Sequence, residues 1–347
     1  MVGDMPSVTP VTAATQASAG LADRHGRVAT DLRVSLTDRC NLRCSYCMPA
    51  EGLDWMPTAE VLTDDEVVRL VRIGVESLGI TEVRFTGGEP LLRRGLPAII
   101  DAVAGLDPRP EISLTTNALG LTRTAEALAA AGLDRVNVSL DTIRPETFAR
   151  ITRRDRLHDV LDGMAAAQAA GITPVKVNAV LLRGVNDDQA PELLEYCLAH
   201  GYQLRFIEQM PLDAQHDWHR GEMVTAEEIF AALESAFVLT AAEEPRGSAP
   251  AERFLVDGGP ATVGVIASVT RPFCGACDRV RLTADGQVRN CLFAREESDL
   301  RTALRAGADD GEIAERWRAA MMTKLPGHGI NDPSFLQPAR PMSAIGG

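Results

Sequence analysis

Six of the seven cysteines in the chain form two triplets with different spacings. They are Cys40, Cys44 and Cys47 in the first triplet and Cys274, Cys277 and Cys291 in the second. Thiolates are preferred ligands of zinc and of iron–sulfur clusters, and a [4Fe–4S] cluster is normally held by four of them. Three thiolates would leave one iron with an open coordination position, at which a reacting molecule can bind. The spacing therefore predicts two iron–sulfur sites that serve catalysis rather than plain electron transfer.

Three other interpretations of the triplets fit the residues less well. The C-x3-C-x2-C spacing of the first triplet would also place thiols on one face of a helix, but Pro49 and the polar residues around Cys40 disfavour a long helix there. Each triplet contains the C-x-x-C pair of thiol redox proteins, yet that chemistry needs no third cysteine. A structural zinc site needs four ligands, and His216 and His219, which could complete one, lie in a polar segment. The seventh cysteine, Cys197, lies on the apolar face of a predicted helix and is expected in the core.

Six strand-like runs alternate with predicted helices from residue 31 onward, which indicates parallel strands joined by crossover helices. Six units are too few to close an eight-stranded barrel, so we expect a partial (β/α)6 TIM-like barrel, with a doubly wound open sheet as the alternative. The predicted strands are 31–37, 82–88, 111–117, 135–141, 175–182 and 203–210. The predicted helices are 63–78, 122–131, 158–171, 188–200 and 226–237.

Unusual residues follow the predicted strands at the ends where, in either architecture, functional groups collect. The first cysteine triplet follows the first strand, and a Gly–Gly–Glu–Pro turn at 87–90 follows the second. Thr115, Ser139 and Met210 lie at the ends of the third, fourth and sixth strands. We therefore expect one catalytic rim, formed by the loops at the carboxyl ends of the strands.

Composition sets the domain limits and excludes some partners. Residues 1–28 are rich in small residues and predict a flexible tail, 29–240 would form the barrel, and 241–347 would form a smaller domain with the second triplet. The 35 basic and 48 acidic residues give a net charge of −13, which disfavours binding to nucleic acid or anionic membranes. No apolar run approaches the ~18 residues of a membrane span, and no signal peptide is recognisable, so we expect the chain in the cytoplasm.

Three stretches of the chain resemble a known family. The stretch LRVSLTDRCNLRCSYCMP, with an aromatic residue before its last cysteine, resembles the signature of the radical S-adenosylmethionine (SAM) superfamily. Together with RFTGGEPLLR and PFCGACDRVRLTADGQVRNCL, it is similar to the GTP 3′,8-cyclase family of molybdenum cofactor biosynthesis, from about residue 29 to the C-terminus. Leu42 departs from the aromatic residue that is commoner in the family and is expected to alter packing only.

The resemblance implies ligands and contacts residue by residue. The first [4Fe–4S] cluster would be held by Cys40, Cys44 and Cys47, and the second by Cys274, Cys277 and Cys291. The implied SAM contacts are Tyr46, Gly88, Ser139 and Met210. The implied GTP contacts are Arg33, Arg84, Thr115, Lys176, Arg279, Val280 and Arg281, with Arg279 and Arg281 also as candidate catalytic residues. The C-terminal Gly346–Gly347 would thread toward the active site.

The implied activity is the conversion of GTP to (8S)-3′,8-cyclo-7,8-dihydroguanosine 5′-triphosphate, through abstraction of the ribose 3′ hydrogen by a 5′-deoxyadenosyl radical. The implied partners are an electron donor and the next enzyme of molybdopterin synthesis, and both a monomer and a homodimer stay open. Because the chain has no G-x4-G-K-[ST] phosphate loop, GTP rests on the resemblance alone. The alternatives are another radical SAM enzyme with an auxiliary cluster, such as a peptide-modifying one, and a metal-binding interaction module.

Overall fold

A twelve-stranded sheet forms the centre of the fold in the computed structural model, which describes residues 20–346. Its six middle strands are parallel and follow one another in chain order, as predicted. The strands, including those of a small N-terminal hairpin, are β1 Leu21–Ala22, β2 Val28–Ala29, β3 Asp31–Ser35, β4 Glu82–Thr86, β5 Glu111–Thr116, β6 Arg135–Ser139, β7 Val175–Val180, β8 Gln203–Ile207, β9 Leu239–Ala241, β10 Glu252–Val256, β11 Thr262–Ile266, β12 Arg279–Leu282, β13 Gln287–Arg289 and β14 Ser298–Asp299. The helices are α1 Asp64–Leu78, α2 Leu96–Ala104, α3 Leu121–Ala130, α4 Pro145–Thr152, α5 Leu157–Ala169, α6 Ala190–His200, α7 Ala226–Glu234, α8 Arg301–Arg305, α9 Asp310–Met322 and α10 Met342–Ile345.

Alternation along the central strands separates an apolar face from a polar interior. In β3, Leu32 and Val34 are buried in the hydrophobic core, whereas Arg33 and Ser35 point to the other face of the strand. The same alternation continues through the next five strands, whose core residues include Val83, Phe85, Ile112, Leu114, Val136, Val138, Val175, Val177, Leu204 and Phe206. The core is therefore a shell between strands and helices, and the interior is left for polar and charged side chains.

Local signals fix the beginnings of two helices. Thr63 and Glu66 form a capping box at the start of α1, and Thr225 and Glu228 form one at the start of α7. α1 ends at Leu78 and is capped by Gly79, which adopts the left-handed conformation with a φ of 77°. Within the described range of residues, no helix is long and apolar enough to cross a membrane.

The residues after α7 extend the barrel sheet at both of its edges. β12 pairs in parallel with β3, and β11 pairs in parallel with β8, so that eight parallel strands lie side by side. β13 and β14 continue one edge in antiparallel pairing, and β10 and β9 continue the other. Because the second cysteine triplet begins between β11 and β12, this connection brings it to the barrel that carries the first.

The predicted N-terminal tail needs a partial correction. Residues 1–19 lie outside the described residues, but residues 20–28 belong to a hairpin in which β1 pairs with β2 and Leu21 is fully buried. This hairpin packs against α9, and the Arg27 guanidinium donates a hydrogen bond of 2.7 Å to the carbonyl of Leu325. Contacts with a segment 298 positions away therefore order residues whose composition alone predicts disorder.

Candidate active site

One cavity of about 340 Å³ lies inside the barrel and is lined by all six cysteines of the two triplets. The triplets are separated by 227 residues along the chain (274 − 47), and only the return of β12 to the edge of β3 brings them together. The other predicted site residues that line this cavity are Arg33, Tyr46, Arg84, Gly88, Thr115, Ser139, Met210, Arg279 and Arg281.

Two predicted GTP contacts, Lys176 and Val280, do not line this cavity. Val280 alternates with the two arginines of β12, so its side chain is buried in the hydrophobic core and only its main chain could meet a nucleotide. Lys176 lies near the start of β7 and lines a neighbouring cavity, which shares Arg205 with the first.

Main-chain hydrogen bonds fix the loop that carries the first triplet. The amides of Arg43 and Ser45 donate to the carbonyls of Thr152 and Ile151, at the end of α4, over 3.0 and 2.9 Å. The guanidinium of Arg153 donates to two further carbonyls of the loop, both at 2.9 Å. Because none of these contacts uses a thiol, all three thiols stay free to bind metal.

Three polar residues around the first triplet were not assigned from the sequence. Asn117 Nδ2 lies 3.8 Å from Cys40 Sγ, and the Tyr46 hydroxyl donates a hydrogen bond of 2.9 Å to Asp141. Glu89 is fully buried and accepts a hydrogen bond of 2.7 Å from the amide of Asn117. Burial raises the pKa of Glu89 to about 7. Asn117, Asp141 and Glu89 all lie at the ends of predicted strands, and this position could have identified them as candidate site residues. Their hydrogen-bond partners, however, come from other loops.

The thiols of the first triplet need a cationic partner if they are to ionise together. Burial raises the pKa of Cys40 to about 11 and that of Cys47 to about 12, and it holds the pKa of Cys44 well above its ordinary value. The charge of Asp141 and then the neighbouring thiolates raise the pKa of Cys44 further, and the thiolate of Cys40 raises that of Cys47. Among residues 20–346, no three His, Cys, Asp or Glu side chains stand close enough to hold a single metal ion. An iron–sulfur cluster supplies positive charge to the whole set, and its binding displaces the protons, so the donor set fits such a cluster.

Gly88 lies where a side chain would displace the cysteine loop. A Cβ at this position would meet the carbonyl oxygens of Asp38 and Arg39, which directly precede Cys40. We expect Gly88→Ala to lower the iron content of anaerobically reconstituted protein by about half, because one of two four-iron clusters is lost. Gly221→Ala is the control, since a Cβ there has no neighbour within 4 Å. Equal iron contents in the two variants would contradict this role of Gly88.

The second triplet lies in a basic environment. Cys277 Sγ is 3.6 Å from Lys324 Nζ and 3.8 Å from Arg279 Nη1. Burial alone would raise the pKa of Cys277, but the charges of Lys324 and Arg279 outweigh it and lower the pKa below its ordinary value. Arg27 donates a hydrogen bond of 2.8 Å to the carbonyl of Cys274. Burial raises the pKa values of Cys274 and Cys291, so these two thiols need the positive charge of a cluster to ionise, as the first triplet does. Since the thiolate is the form that ligates metal, this triplet also fits a cluster.

The arginines lie inside the barrel, on its strands rather than in the loops that follow them. Arg33 of β3 is the register partner of Arg84 on β4 and of Arg281 on β12. Each of these three arginines lies within its strand rather than in the loop that follows. Its side chain points into the barrel because alternate residues of a strand share one face. Arg205 of β8, not assigned from the sequence, lines the same cavity and donates a hydrogen bond of 2.7 Å to Asn137. A guanidinium group can bind two phosphate oxygens at once.

The positive charge of the arginines inside the barrel affects the neighbouring Lys176. Burial, followed by the charges of Arg135, Arg205 and Arg84, lowers the pKa of Lys176 to about 8. A bound polyphosphate would oppose this shift, because negative charge favours the protonated amine.

The two arginines of β12 already hold carbonyl oxygens from distant segments. Arg279 donates to the carbonyl of Ser248, in the loop between β9 and β10, and Arg281 donates to the carbonyl of Gly346. The Ser35 hydroxyl donates a hydrogen bond of 2.8 Å to the carbonyl of Ile345. The C-terminal segment thus enters the barrel as far as Gly346, and Gly347 lies outside the described residues.

Two family models match consecutive parts of the chain. The model of the Radical SAM superfamily matches residues 34–197, and that of Molybdenum Cofactor Synthesis C matches residues 202–330. A GTP 3′,8-cyclase from Streptomyces coelicolor is 69% identical over 328 residues, which cover 94% of this chain and 96% of that protein. A GTP 3′,8-cyclase from a Mycobacterium species is 64% identical over 343 residues, which cover 99% of this chain and 98% of that protein.

A solved structure matches the fold at much lower identity. SuiB of Streptococcus suis bound to S-adenosylmethionine aligns with a TM-score of 0.57 and covers 82% of this chain and 68% of its own. At 14% identity this similarity concerns the fold alone, and it confirms the predicted partial barrel. The identities to the curated relatives extend over nearly the whole length of both chains. This chain therefore belongs to the GTP 3′,8-cyclase family of the radical SAM superfamily.

Proposed function

We propose that this chain converts GTP to (8S)-3′,8-cyclo-7,8-dihydroguanosine 5′-triphosphate, the first step of molybdenum cofactor biosynthesis. The observation that carries the proposal is the convergence of both cysteine triplets on one cavity whose interior holds guanidinium groups. A nucleotide triphosphate bound there would have its phosphates among the arginines and its base and ribose between two cluster sites. The names of the full-length relatives add support.

The first triplet and its surroundings would hold the cofactor that starts the reaction. Cys40, Cys44 and Cys47 would ligate a [4Fe–4S] cluster, with Tyr46, Gly88, Ser139 and Met210 around the bound SAM. When bound, SAM and the cluster supply a 5′-deoxyadenosyl radical that can abstract a hydrogen atom from the ribose. The chain itself orients SAM: the absence of a Cβ at Gly88 keeps the turn close to the cysteine loop, and the hydrogen bond to Asp141 fixes the Tyr46 ring.

The second triplet and the arginine layer would hold the nucleotide. Arg33 and Arg84 are neighbours in one inward layer, which suits a chain of phosphates. Arg279 lies 3.8 Å from Cys277, so we assign it to the part of GTP nearest the second cluster. Fixed guanidinium donors stabilise negative charge that develops on the base during cyclisation, which is the role we assign to Arg279 and Arg281. Thr115 would contact the ribose side of the cavity, and Lys176 would reach the phosphates from the neighbouring cavity.

Further features of the proposal come from the sequence and the family. We propose that an external donor reduces the first cluster, that the product passes to the next enzyme of molybdopterin synthesis, and that the protein works in the cytoplasm. The barrel would span residues 29–240 and the second-cluster domain residues 241–347. Either a monomer or a homodimer is compatible with a site that one chain completes.

Product analysis tests the proposal directly. Anaerobically reconstituted protein is incubated with SAM, a reductant and GTP, and the mixture is separated by liquid chromatography with mass detection. We expect an isomer of GTP with a new retention time, formed together with 5′-deoxyadenosine; when ATP replaces GTP we expect no cyclised product and only slow background formation of 5′-deoxyadenosine. Formation of 5′-deoxyadenosine at the same rate with ATP, without any isomer of GTP, would reject the proposal.

A further inference from the structure

Beside the arginine-lined cavity lies a buried carboxylate, Asp31, to which the proposed function assigns no role. Asp31 is only 5% exposed. Its Oδ2 atom lies 3.5 Å from Arg33 Nη2, 3.7 Å from Arg279 Nε and 4.0 Å from Arg84 Nη2. In the part of the chain that the structure describes, no other carboxylate lies within 4 Å of Arg33 or Arg84. Arg279 has one more, Asp278, at 3.6 Å.

Strand register explains this placement. Asp31 is the register partner of Arg279 on β12 and of Glu82 on β4. Arg33 lies two residues later on the same face of β3, and Arg84 is its neighbour on β4. Guanidinium groups from three adjacent strands therefore surround one carboxylate. Glu82, by contrast, forms its ion pair with Arg135, at 3.3 Å, and among the described residues it has none within 4 Å with Arg33, Arg84 or Arg279.

Asp31 balances these cations while using little of their hydrogen-bonding capacity, since it accepts only one long hydrogen bond, of 3.5 Å from Arg33 Nη2, among the described residues. Its distances exceed the ~2.7–2.9 Å of a charge-assisted hydrogen bond. Asp31 Oδ1 and the Nε atoms of Arg33 and Arg279 are buried without a hydrogen-bond partner among the described residues. The attraction is therefore mainly electrostatic, and guanidinium donors remain available for phosphate oxygens.

Asp31 carries its charge throughout the physiological range. Burial raises its pKa, but the surrounding arginines outweigh burial and lower the pKa to about 2; they are Arg33, Arg84, Arg279 and Arg281. Without this charge the guanidinium groups would repel one another, and repulsion between buried charges is stronger than between exposed ones.

We propose that Asp31 is the built-in counter-ion of this cluster: it positions Arg33, Arg84 and Arg279 before a nucleotide arrives and weakens the hold of Arg33 and Arg84 on the phosphate chain. The identity of that chain as the triphosphate of GTP rests on the proposed function. A carboxylate fixed beside the site repels the incoming anion, so the affinity is lower than the arginines alone would give. Asp31 is thus a positioning residue that acts through the arginines, and it keeps polyphosphate binding reversible.

Inorganic tripolyphosphate, titrated into anaerobically reconstituted protein by calorimetry, tests this proposal. We expect Asp31→Asn to bind it about tenfold more tightly, since one repulsive charge beside the site is removed. The ligand-free variant should also have a lower Tm than the wild type. In GTP turnover both KM and kcat should fall, because the arginines bind more strongly but are no longer held in place. Asp31→Glu, which keeps the charge, should bind tripolyphosphate within about twofold of the wild type.

Glu82→Gln provides the matched control, because it removes the same charge from the register partner of Asp31. Its tripolyphosphate affinity should stay within about twofold of the wild type, since Glu82 pairs outside the cluster. Asp31→Ser is a second neutral variant. Unchanged or weaker binding in a folded neutral variant, or equal tightening in Glu82→Gln, overturns the proposal. If neither neutral variant folds alone, folding in the presence of tripolyphosphate supports it, and failure to fold there too overturns it.

The tripolyphosphate titration, together with the assay of GTP cyclisation, separates this inference from the proposed function. If the wild type does not cyclise GTP but Asp31→Asn binds tripolyphosphate more tightly, the proposed function fails and the role of Asp31 stands. If the wild type cyclises GTP and the affinity does not rise, the role of Asp31 fails and the proposed function stands.

Discussion

Gly346→Ala is expected to lower the rate of GTP cyclisation about a hundredfold, because small displacements at a reacting site cost about that much. Gly346 has a φ of 86°, in the left-handed region that favours glycine. A Cβ there would meet Ser35 Oγ and lie 2.6 Å from Thr86 Cγ2. The C-terminal segment would have to leave the barrel, and Arg281 would lose the carbonyl that it now holds. Product formation and iron content are measured together, and the iron content should not change.

Gly258→Ala separates crowding from backbone strain. Gly258 has nearly the same φ, 84°, but a Cβ there has no neighbour within 4 Å. This variant should therefore cyclise GTP at close to the wild-type rate. Equal rates in the Gly346 and Gly258 variants would show that the C-terminal segment has no part in the active site.

Cys277→Ser is expected to abolish GTP cyclisation and to lower the iron content from about eight to about four per chain, because a serine hydroxyl does not replace a thiolate ligand. Cys277 is the thiol of the second triplet that Lys324 and Arg279 hold toward its ionised form. The first triplet is not in contact with this change, so slow formation of 5′-deoxyadenosine from SAM should persist. Iron analysis and product chromatography on the same preparation measure both effects.

Cys197→Ala is the control for the loss of a thiol. Cys197 is fully buried in α6 and belongs to the hydrophobic core. Its variant should keep about eight irons per chain, because it removes no cluster ligand. Equal loss of iron in the two variants, or GTP cyclisation by Cys277→Ser, would contradict the assignment of the second triplet.

The sequence predicts the central strands well because their signals are local. Each of the six strands alternates apolar and polar residues, and every one is present in the structure. Helices α2 and α4, with 9 and 8 residues, were not predicted, and neither were the shorter α8 and α10. The pairing of β11 and β12 with opposite edges of the barrel was not predictable either, because it depends on contacts between segments far apart in the chain.

The site shows the same division. Cysteine spacing predicts the cluster ligands, since groups of three nearby thiols are typical of iron–sulfur sites. The grouping of the arginines, by contrast, follows from strand register, which places Arg33 beside Arg84 and Arg281. Asp31 and Lys324 were not assigned from the sequence, because what distinguishes them is their contacts with residues that are not their neighbours in the sequence.

GTP carrying deuterium at the ribose 3′ position tests most directly whether one cavity holds the nucleotide between the two cluster sites. The wild-type protein is reconstituted anaerobically and given SAM, a reductant and the labelled GTP. We predict that the 5′-deoxyadenosine formed carries deuterium and that the cyclised nucleotide has lost it. Unlabelled 5′-deoxyadenosine, with the deuterium retained in the nucleotide, would contradict this arrangement.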